Sequence, residues 1–189
     1  MNTLRQLGLI ALATATMTTF SSTSFAGKPK FSNKAEATIA EFAITASGAE
    51  EGILFDDNGE DFDILLAALD ATGVGAIFDG TDYTVFAPND QAFYDLTGAQ
   101  DDQAAFNAVV DLLGVDGVAD VLAYHVTEGV RNSRSVTRAK QIEMLDGNTI
   151  TGRTASGLIE ANNSEAMLLN IDNRLADGIV HIIDTVLLP

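Results

Sequence analysis

Apolar residues in the first half of the chain recur at the spacing of amphipathic helices. They fall at positions i, i+3, i+4 and i+7 in residues 39–46, 62–69 and 106–113, and this spacing builds one continuous apolar face on a helix. Gly73 and Gly114 follow the second and third segments and are typical of helix ends. A shorter fourth helix is predicted to begin at Asp116 and to carry Val118, Val121 and Leu122.

The second half of the chain has the pattern of short strands. From Ile142 onward, β-prone pieces are separated by turn dipeptides such as Asp-Gly, Ser-Gly and Asn-Asn; the pieces are IEML, NTIT, GLIE, MLLNI and GIVHII. One earlier strand is predicted from Tyr83 to Ala87; Pro88 follows it, and Asn89 is placed to cap a new helix. Helices that mostly precede strands indicate an α+β domain rather than repeated βαβ units.

The N-terminus has the features of a secretory signal peptide. Arg5 precedes an apolar run over residues 7–17, and small residues lead to Ser24-Phe25-Ala26. The run is too short to span ~30 Å of hydrocarbon, so residues 1–26 are predicted to be cleaved, leaving a short N-terminal segment over residues 27–34. The chain has no cysteine, so neither disulfides nor a lipid-modified cysteine are expected. The mature protein is expected to be secreted or periplasmic and to have no transmembrane anchor.

Charge is distributed unevenly along the chain, whose formal net charge is −17. Residues 35–130 contain 20 Asp and Glu but no Lys or Arg. Such a surface repels polyanions, so nucleic acid is excluded as a partner. One basic cluster follows and is interpreted as internal charge balance, with an anion site as the alternative; it consists of Arg131, Arg134, Arg138 and Lys140.

Sequence motifs for catalysis are missing. The only two histidines, His125 and His181, lie among apolar residues and begin no metal-binding motif, and the zinc-protease, nucleophile-elbow and dinucleotide fingerprints are absent. We therefore expect no enzyme activity, no catalytic residues and no cofactor. His125 is interpreted as a buried histidine with ring nitrogens bonded to backbone or to a neighbouring hydroxyl, and ligand contact is its alternative role.

The acidic stretch DDNGEDFD raises the question of a calcium site. Its glycine stands fourth from Asp56, whereas the twelve-residue calcium loop of EF-hands needs glycine at about the sixth position. The stretch is interpreted as a solvated acidic loop, and no metal site is predicted. Whether the loop binds calcium remains an open alternative.

Three ordered motifs carry a resemblance to a known family. TVFAPNDQAF, VLAYHV and DGIVHIIDTVLLP resemble the first conserved block, the Tyr-His block and the second conserved block of the fasciclin (FAS1) domain. The helices at TIAEFAI and FDILLAALDATG are similar to the family's N-terminal part, so the resemblance covers residues 35–189, with an acidic insertion at about residues 48–61. It implies a wedge-shaped β-sandwich flanked by several α-helices. It also implies a single extracellular adhesion module of bacterial type, whose last strand closes the domain.

The chain departs from the family pattern at several positions. Asn89 and Asp177 stand where Thr and Asn are usual in the family. The short Asp-Ile motif that animal members present to integrins falls at residues 170–174, where Asp172 is kept but Asn173 and Arg174 replace the following apolar pair. This replacement argues against an integrin-like contact.

The resemblance leads to one functional hypothesis and two alternatives. The main hypothesis is a binding or adhesion module that engages an extracellular or envelope protein or glycan at the envelope, matrix or biofilm, with Tyr124, His125 and Asp172 as candidate binding residues. The first alternative is a small-ligand carrier or enzyme that uses the region of Tyr124 and His125. The second is a structural matrix component in which divalent cations bridge the acidic half.

Overall fold

The computed structural model describes residues 37–48, 55–78, 81–153, 157–162 and 164–189. The predicted signal peptide, the segment 27–34 and residues 49–54 of the acidic insertion lie outside these described residues. The predicted domain organisation therefore stays a prediction.

The helical pattern of the sequence corresponds to helices in the structure. The described helices are α1 (Ile39–Ala46), α2 (Asp63–Thr72), α3 (Asp90–Thr97), α4 (Asp102–Ala123) and α5 (Ser133–Arg138). The Asn89 side chain accepts from the Ala92 N–H and caps α3, as the sequence predicts. In α1, Thr38 and Glu41 form the capping box. No helix in the described ranges has both the length and the apolar character needed to cross a bilayer.

The third and fourth predicted helices join into α4 with a break between them. Gly114 adopts a φ of 69° and a ψ of 168° inside α4, a conformation that glycine reaches without steric cost. The sequence therefore places the break correctly. The short helix α5 was not predicted, because only Val136 within it is buried and it has no apolar period.

The strands form a mixed seven-stranded sheet. They are β1 (Tyr83–Pro88), β2 (Val126–Glu128), β3 (Ile142–Glu143), β4 (Thr149–Arg153), β5 (Leu158–Glu160), β6 (Glu165–Leu175) and β7 (Gly178–Ile183). The strand order is β2-β1-β7-β6-β5-β4-β3, and all described pairings are antiparallel except that of β1 with β7. The predicted α+β class is confirmed.

The last strand of the chain, β7, lies inside the sheet between β1 and β6. Its first residue, Gly178, pairs with Tyr83, and a Cβ atom at this position would lie 2.1 Å from the Tyr83 carbonyl oxygen. Only glycine permits this approach. The central position explains why the final segment is so apolar.

Two apolar cores lie on opposite sides of β1. Val85 and Ala87 pack into the core beneath α1 to α4, whereas Phe86 packs into a second core with α5 and strands β3 to β7. Because alternate residues of a strand face opposite sides of a sheet, β1 is buried on both faces.

Candidate functional site

Tyr124 is a fully buried member of the second core. Its hydroxyl donates to the Thr149 carbonyl oxygen at 3.1 Å and accepts from the Asn162 N–H at 3.4 Å. Burial raises the pKa of the Tyr124 hydroxyl. The side chain joins the end of α4 to the sheet, and its role as a binding residue stays a prediction.

His125, the next residue, is bound to the backbone through both ring nitrogens. The Leu187 N–H donates to Nε2 at 2.9 Å, and Nδ1 lies 2.6 Å from the Val121 carbonyl oxygen. Nε2 must therefore be unprotonated, so the neutral ring carries its proton on Nδ1 and donates it to Val121. Burial lowers the pKa of His125 to about 4. This geometry agrees with the interpretation of His125 as a buried histidine.

Asp172, on β6, holds the start of α5. Its Oδ1 accepts from the Ser133 N–H at 2.7 Å, and its Oδ2 accepts from the Ser133 hydroxyl at 2.8 Å. Partial burial acts to raise the pKa of Asp172, but the Ser133 hydrogen bonds, with nearby His181 and Arg174, outweigh it and lower the pKa. The backbone of Asp172 has a φ of 62°, which L-residues other than Asn and Asp adopt rarely.

The three predicted binding residues have separate partners. Tyr124 bonds within the second core, and His125 bonds to α4 and the C-terminal segment. The Asp172 N–H donates to Nδ1 of His181, whose Nε2 donates to the Arg131 carbonyl oxygen. All three side chains hold parts of the fold together.

The basic cluster after residue 130 takes no part in the ion pairs found among the described residues. Among the described residues, the ion pairs join Arg153 to Glu160 and Glu165. Arg131, by contrast, has a buried Nε without a hydrogen-bond partner. Charge can also be balanced through the field over several ångströms without direct pairing, so the interpretation of this cluster as internal charge balance stays a prediction.

A cavity of about 350 Å³ lies within the helical core. Residues from α1, α2, β1 and the short 3-10 helix Val74–Ile77 line it, including Phe42, Phe62 and Phe78. Among the described lining residues, only Asp70 and His125 carry polar side chains. A space of this size and apolar character is typical of small-molecule sites.

Five aspartates cluster where three helices begin. Asp63, Asp90 and Asp102 are the first residues of α2, α3 and α4, and each is fully buried. Carboxylate oxygens of these three lie within 4.8 Å of one another, and so do oxygens of Asp56, Asp61 and Asp63. Asp63 belongs to both groups.

Hydrogen bonds from backbone amides stabilise part of this aspartate cluster. Asp90 accepts from the N–H groups of Asp63 and Ile64 at 2.9 and 3.0 Å. These are the first amides of α2, whose N-cap residue, Phe62, makes no side-chain cap. Asp90 therefore caps α2 from another helix.

The other two helix-start aspartates bind the acidic loop. Oδ2 of Asp63 accepts from the N–H groups of Phe55 and Asp56, and Oδ2 of Asp102 accepts from the N–H of Asp57. Oδ1 of Asp102 accepts from the Tyr94 hydroxyl.

Burial dominates the electrostatics of the cluster. It raises the pKa of Asp90 to about 9, with a further contribution from the hydrogen bond to Asp61, and it also raises the pKa values of Asp61 and Asp63. The expectation of a solvated loop is therefore wrong for Asp61 and Asp63, although Asp56 and Asp57 are exposed. Sequence reasoning missed Asp63, Asp90 and Asp102 because an acidic residue in the first turn of a helix is an ordinary helix-start signal.

A row of exposed apolar side chains follows β6. Met167, Leu169 and Ile171 stand at alternate positions and are 48%, 51% and 46% exposed. Large apolar side chains exposed in a row are typical of an interaction surface.

The architecture is that of an α+β domain in which α1 to α4 cover one side of a mixed sheet and α5 packs into the core on the other side. A model of the fasciclin domain family matches residues 60–189, and the chain belongs to this family. The chain is 29% identical to Protein sll1483 of Synechocystis sp. over 134 residues, which are 69% of this chain and 68% of that protein.

Two further relatives are larger than this chain. Over 153 residues the chain is 27% identical to transforming growth factor-beta-induced protein ig-h3 of Sus scrofa; the match spans 80% of this chain but 21% of that protein. A fasciclin domain pair from the insect cell adhesion molecule fasciclin I aligns with a TM-score of 0.57 at 13% identity, over 82% of this chain and 52% of that one. This likeness shows the fold, and fasciclin domains are known from cell adhesion proteins.

Proposed function

We propose that the protein is an exported binding module of the adhesion type, secreted or periplasmic, that engages a protein partner at the envelope or matrix. Membership in the fasciclin family supports adhesion. The observation that carries the proposal is the exposed row on β6, because contact with a partner removes apolar surface from water at about 25 cal/mol per Å². A row of apolar side chains is better suited to contact with a protein surface than to contact with a glycan, which is more polar.

The domain in this proposal consists of residues 35–189 and catalyses no reaction. Both histidines, the side chains best suited to acid-base chemistry near neutral pH, have their ring nitrogens bonded to backbone groups. These bonds support a structural role for the histidines and a binding role for the domain.

The proposal is tested by capture from envelope and extracellular fractions with Leu169→Ser as the test variant. The parent is expected to retain a defined partner that Leu169→Ser loses, while both proteins melt at similar temperatures. Leu112→Ser is the matched control, because Leu112 is an exposed leucine on α4, 73% accessible, and it should retain the partner.

Treatment of the fractions separates the two partner classes. Protease treatment should abolish capture, and periodate oxidation of glycans should leave it unchanged. Equal capture by the parent and Leu169→Ser would contradict the assignment to β6, and loss after periodate alone would identify a glycan.

The cavity beneath α1 and α2 favours a second candidate function, the carriage of a small apolar ligand. The phenyl rings of Phe42 and Phe62 lie 6.3 Å apart in this region, and both residues line the cavity with His125. An apolar ligand would gain most of its binding free energy from burial against these side chains.

Titration with the neutral apolar fluorophore phenylnaphthylamine tests the second candidate. We expect saturable binding of one probe per chain, abolished by Leu66→Trp, which fills the cavity. The control is Leu112→Trp on the surface of α4. Absent binding, or binding that Leu66→Trp leaves intact, would exclude carriage in this cavity.

A further inference from the structure

The aspartate cluster at the start of α2, α3 and α4 carries more negative charge than its surroundings offset. Each helix N-terminus contributes about half a positive charge, so three of them supply roughly one and a half. The cluster contains five carboxylates: Asp56, Asp61, Asp63, Asp90 and Asp102. No Lys or Arg occurs between residues 35 and 130 to complement them.

Two oxygens of the cluster are buried without any hydrogen-bond donor. They are Oδ1 of Asp61 and Oδ1 of Asp63, in side chains that are 6% and 0% exposed. A buried polar atom without a partner costs about 1–3 kcal/mol, and more if charged. The carboxyl groups of Asp90 and Asp61 interact, and a proton shared between them supplies at most one of the two missing donors. It leaves Oδ1 of Asp63 without a donor.

The remaining oxygens in the inner part of the cluster are already engaged. Both oxygens of Asp90 accept amides of α2, and both oxygens of Asp102 accept from Asp57 and Tyr94. Asp61 and Asp63, whose Oδ1 atoms lack donors, form an outer group with Asp56, in which carboxylate oxygens lie within 4.8 Å of one another.

We infer that Asp56, Asp61 and Asp63 bind one divalent cation of the size of calcium. Calcium takes oxygen ligands at about 2.4 Å, so two oxygens on opposite sides of one ion lie about 4.8 Å apart. Carboxylate oxygens of the three residues lie within 4.8 Å of one another, so all three can reach one such ion. The exposed Asp56 gives the ion a path from solvent to the buried Asp63.

Such an ion would fasten the acidic loop to the start of α2. Asp63 begins that helix, and Asp56 and Asp61 belong to the loop before it. The site differs from an EF-hand because its ligands span eight residues, from Asp56 to Asp63, rather than a twelve-residue loop. The role is independent of the partner contact proposed for β6.

Calorimetric titration of the chelator-treated protein with calcium chloride, with magnesium chloride as a second titrant, tests this site. We expect one calcium ion per chain and weaker binding of magnesium. Asp61→Asn should lower the calcium affinity by about tenfold or more. With a chelator present, the free energy of unfolding of Asp61→Asn should not fall below that of the parent, because the side-chain amide of the introduced Asn supplies a hydrogen-bond donor within the cluster. Asp111→Asn removes the same charge from an exposed position of α4 and should bind like the parent.

Terbium luminescence excited through tyrosine gives a second readout. The chain has no Trp and three Tyr residues, and the Tyr94 hydroxyl bonds to Asp102 beside the proposed site. Tyr94→Phe should reduce the luminescence, whereas the heat released on calcium binding should stay the same.

Absence of calcium binding by the folded parent would mean that the carboxyl groups hold protons instead. Equal binding by Asp61→Asn, or several weak ions lost equally in Asp111→Asn, would also overturn the site.

Discussion

His125 shows how one residue can connect two parts of the chain. Its ring forms hydrogen bonds with the backbone of Val121 in α4 and of Leu187, which lies 62 residues after His125 in the chain. The ring is buried and neutral, so its protonation would break the bond from the Leu187 N–H and place a charge in an apolar site. His125 therefore contributes to stability only in its neutral form.

We expect His125 to make stability depend on pH. The unfolded chain takes up a proton near pH 6.5, whereas the folded protein does so only at about 4, so between these values the unfolded state binds more protons and stability rises with pH. The free energy of unfolding of the parent, relative to His125→Gln, should increase by roughly 3 kcal/mol from pH 4 to pH 7.

Urea unfolding of both proteins across this range measures the His125 difference. The comparison removes the effects of groups present in both proteins, including Asp146, whose charge acts to raise the pKa of His125. A difference that stays constant with pH would show that His125 does not titrate between the two states.

At the scale of elements, α5 is held against β4 by a close backbone approach. A Cβ atom at Gly152 would lie 1.9 Å from the Val136 carbonyl oxygen and 2.7 Å from the backbone of Thr137. The Gly152 N–H also donates to the Ala139 carbonyl oxygen at 2.9 Å. Only the absence of a side chain lets this helix and strand meet.

Replacing Gly152 should separate α5 from β4. Gly152→Ala is expected to lower the free energy of unfolding by about 2 kcal/mol or more, because backbone atoms cannot yield as side chains do. Gly75→Ala is the matched control, since no atom lies within 4 Å of its added Cβ. Chemical denaturation measures both, and equal stability of the two variants would contradict the contact.

At the scale of the whole molecule, the acidic residues repel one another. Counter-ions screen charges separated by more than about 8 Å at physiological ionic strength. In chelator, moderate sodium chloride should therefore stabilise the protein by about 1 kcal/mol, which corresponds to about 2–4 °C in Tm for a chain of this size. Thermal melts at increasing salt measure this, and a flat response would mean that the charges are well separated.

Export is also a property of the whole chain. The signal-peptide pattern predicts cleavage after Ala26 and a mature N-terminus at Gly27. N-terminal sequencing of the protein from envelope and medium fractions of the producing cell checks this. Retention of Met1 would contradict both the cleavage and the proposed location.

Local patterns predicted much of the fold but little of the candidate sites. The i, i+3, i+4, i+7 spacing identified α1, α2 and the first part of α4, the shorter helix predicted from Asp116 is its second part, and Asn89 marked the start of α3. These features depend on residues within a few positions of one another, so one sequence displays them. The strand β2 and the helix α5 are short and lack a period, so they became visible only in the structure.

By itself, the sequence determined the α+β class, the family motifs, the acidic first half and the position of the break at Gly114. Only the tertiary structure decided that β7 is a central strand, that Tyr124 and His125 have separate partners, and that Asp63, Asp90 and Asp102 meet. Periodicity and capping are local, whereas burial and pairing depend on residues far apart in the chain. An aspartate at the start of a helix gives the same sequence pattern whether its side chain faces water or two other carboxylates.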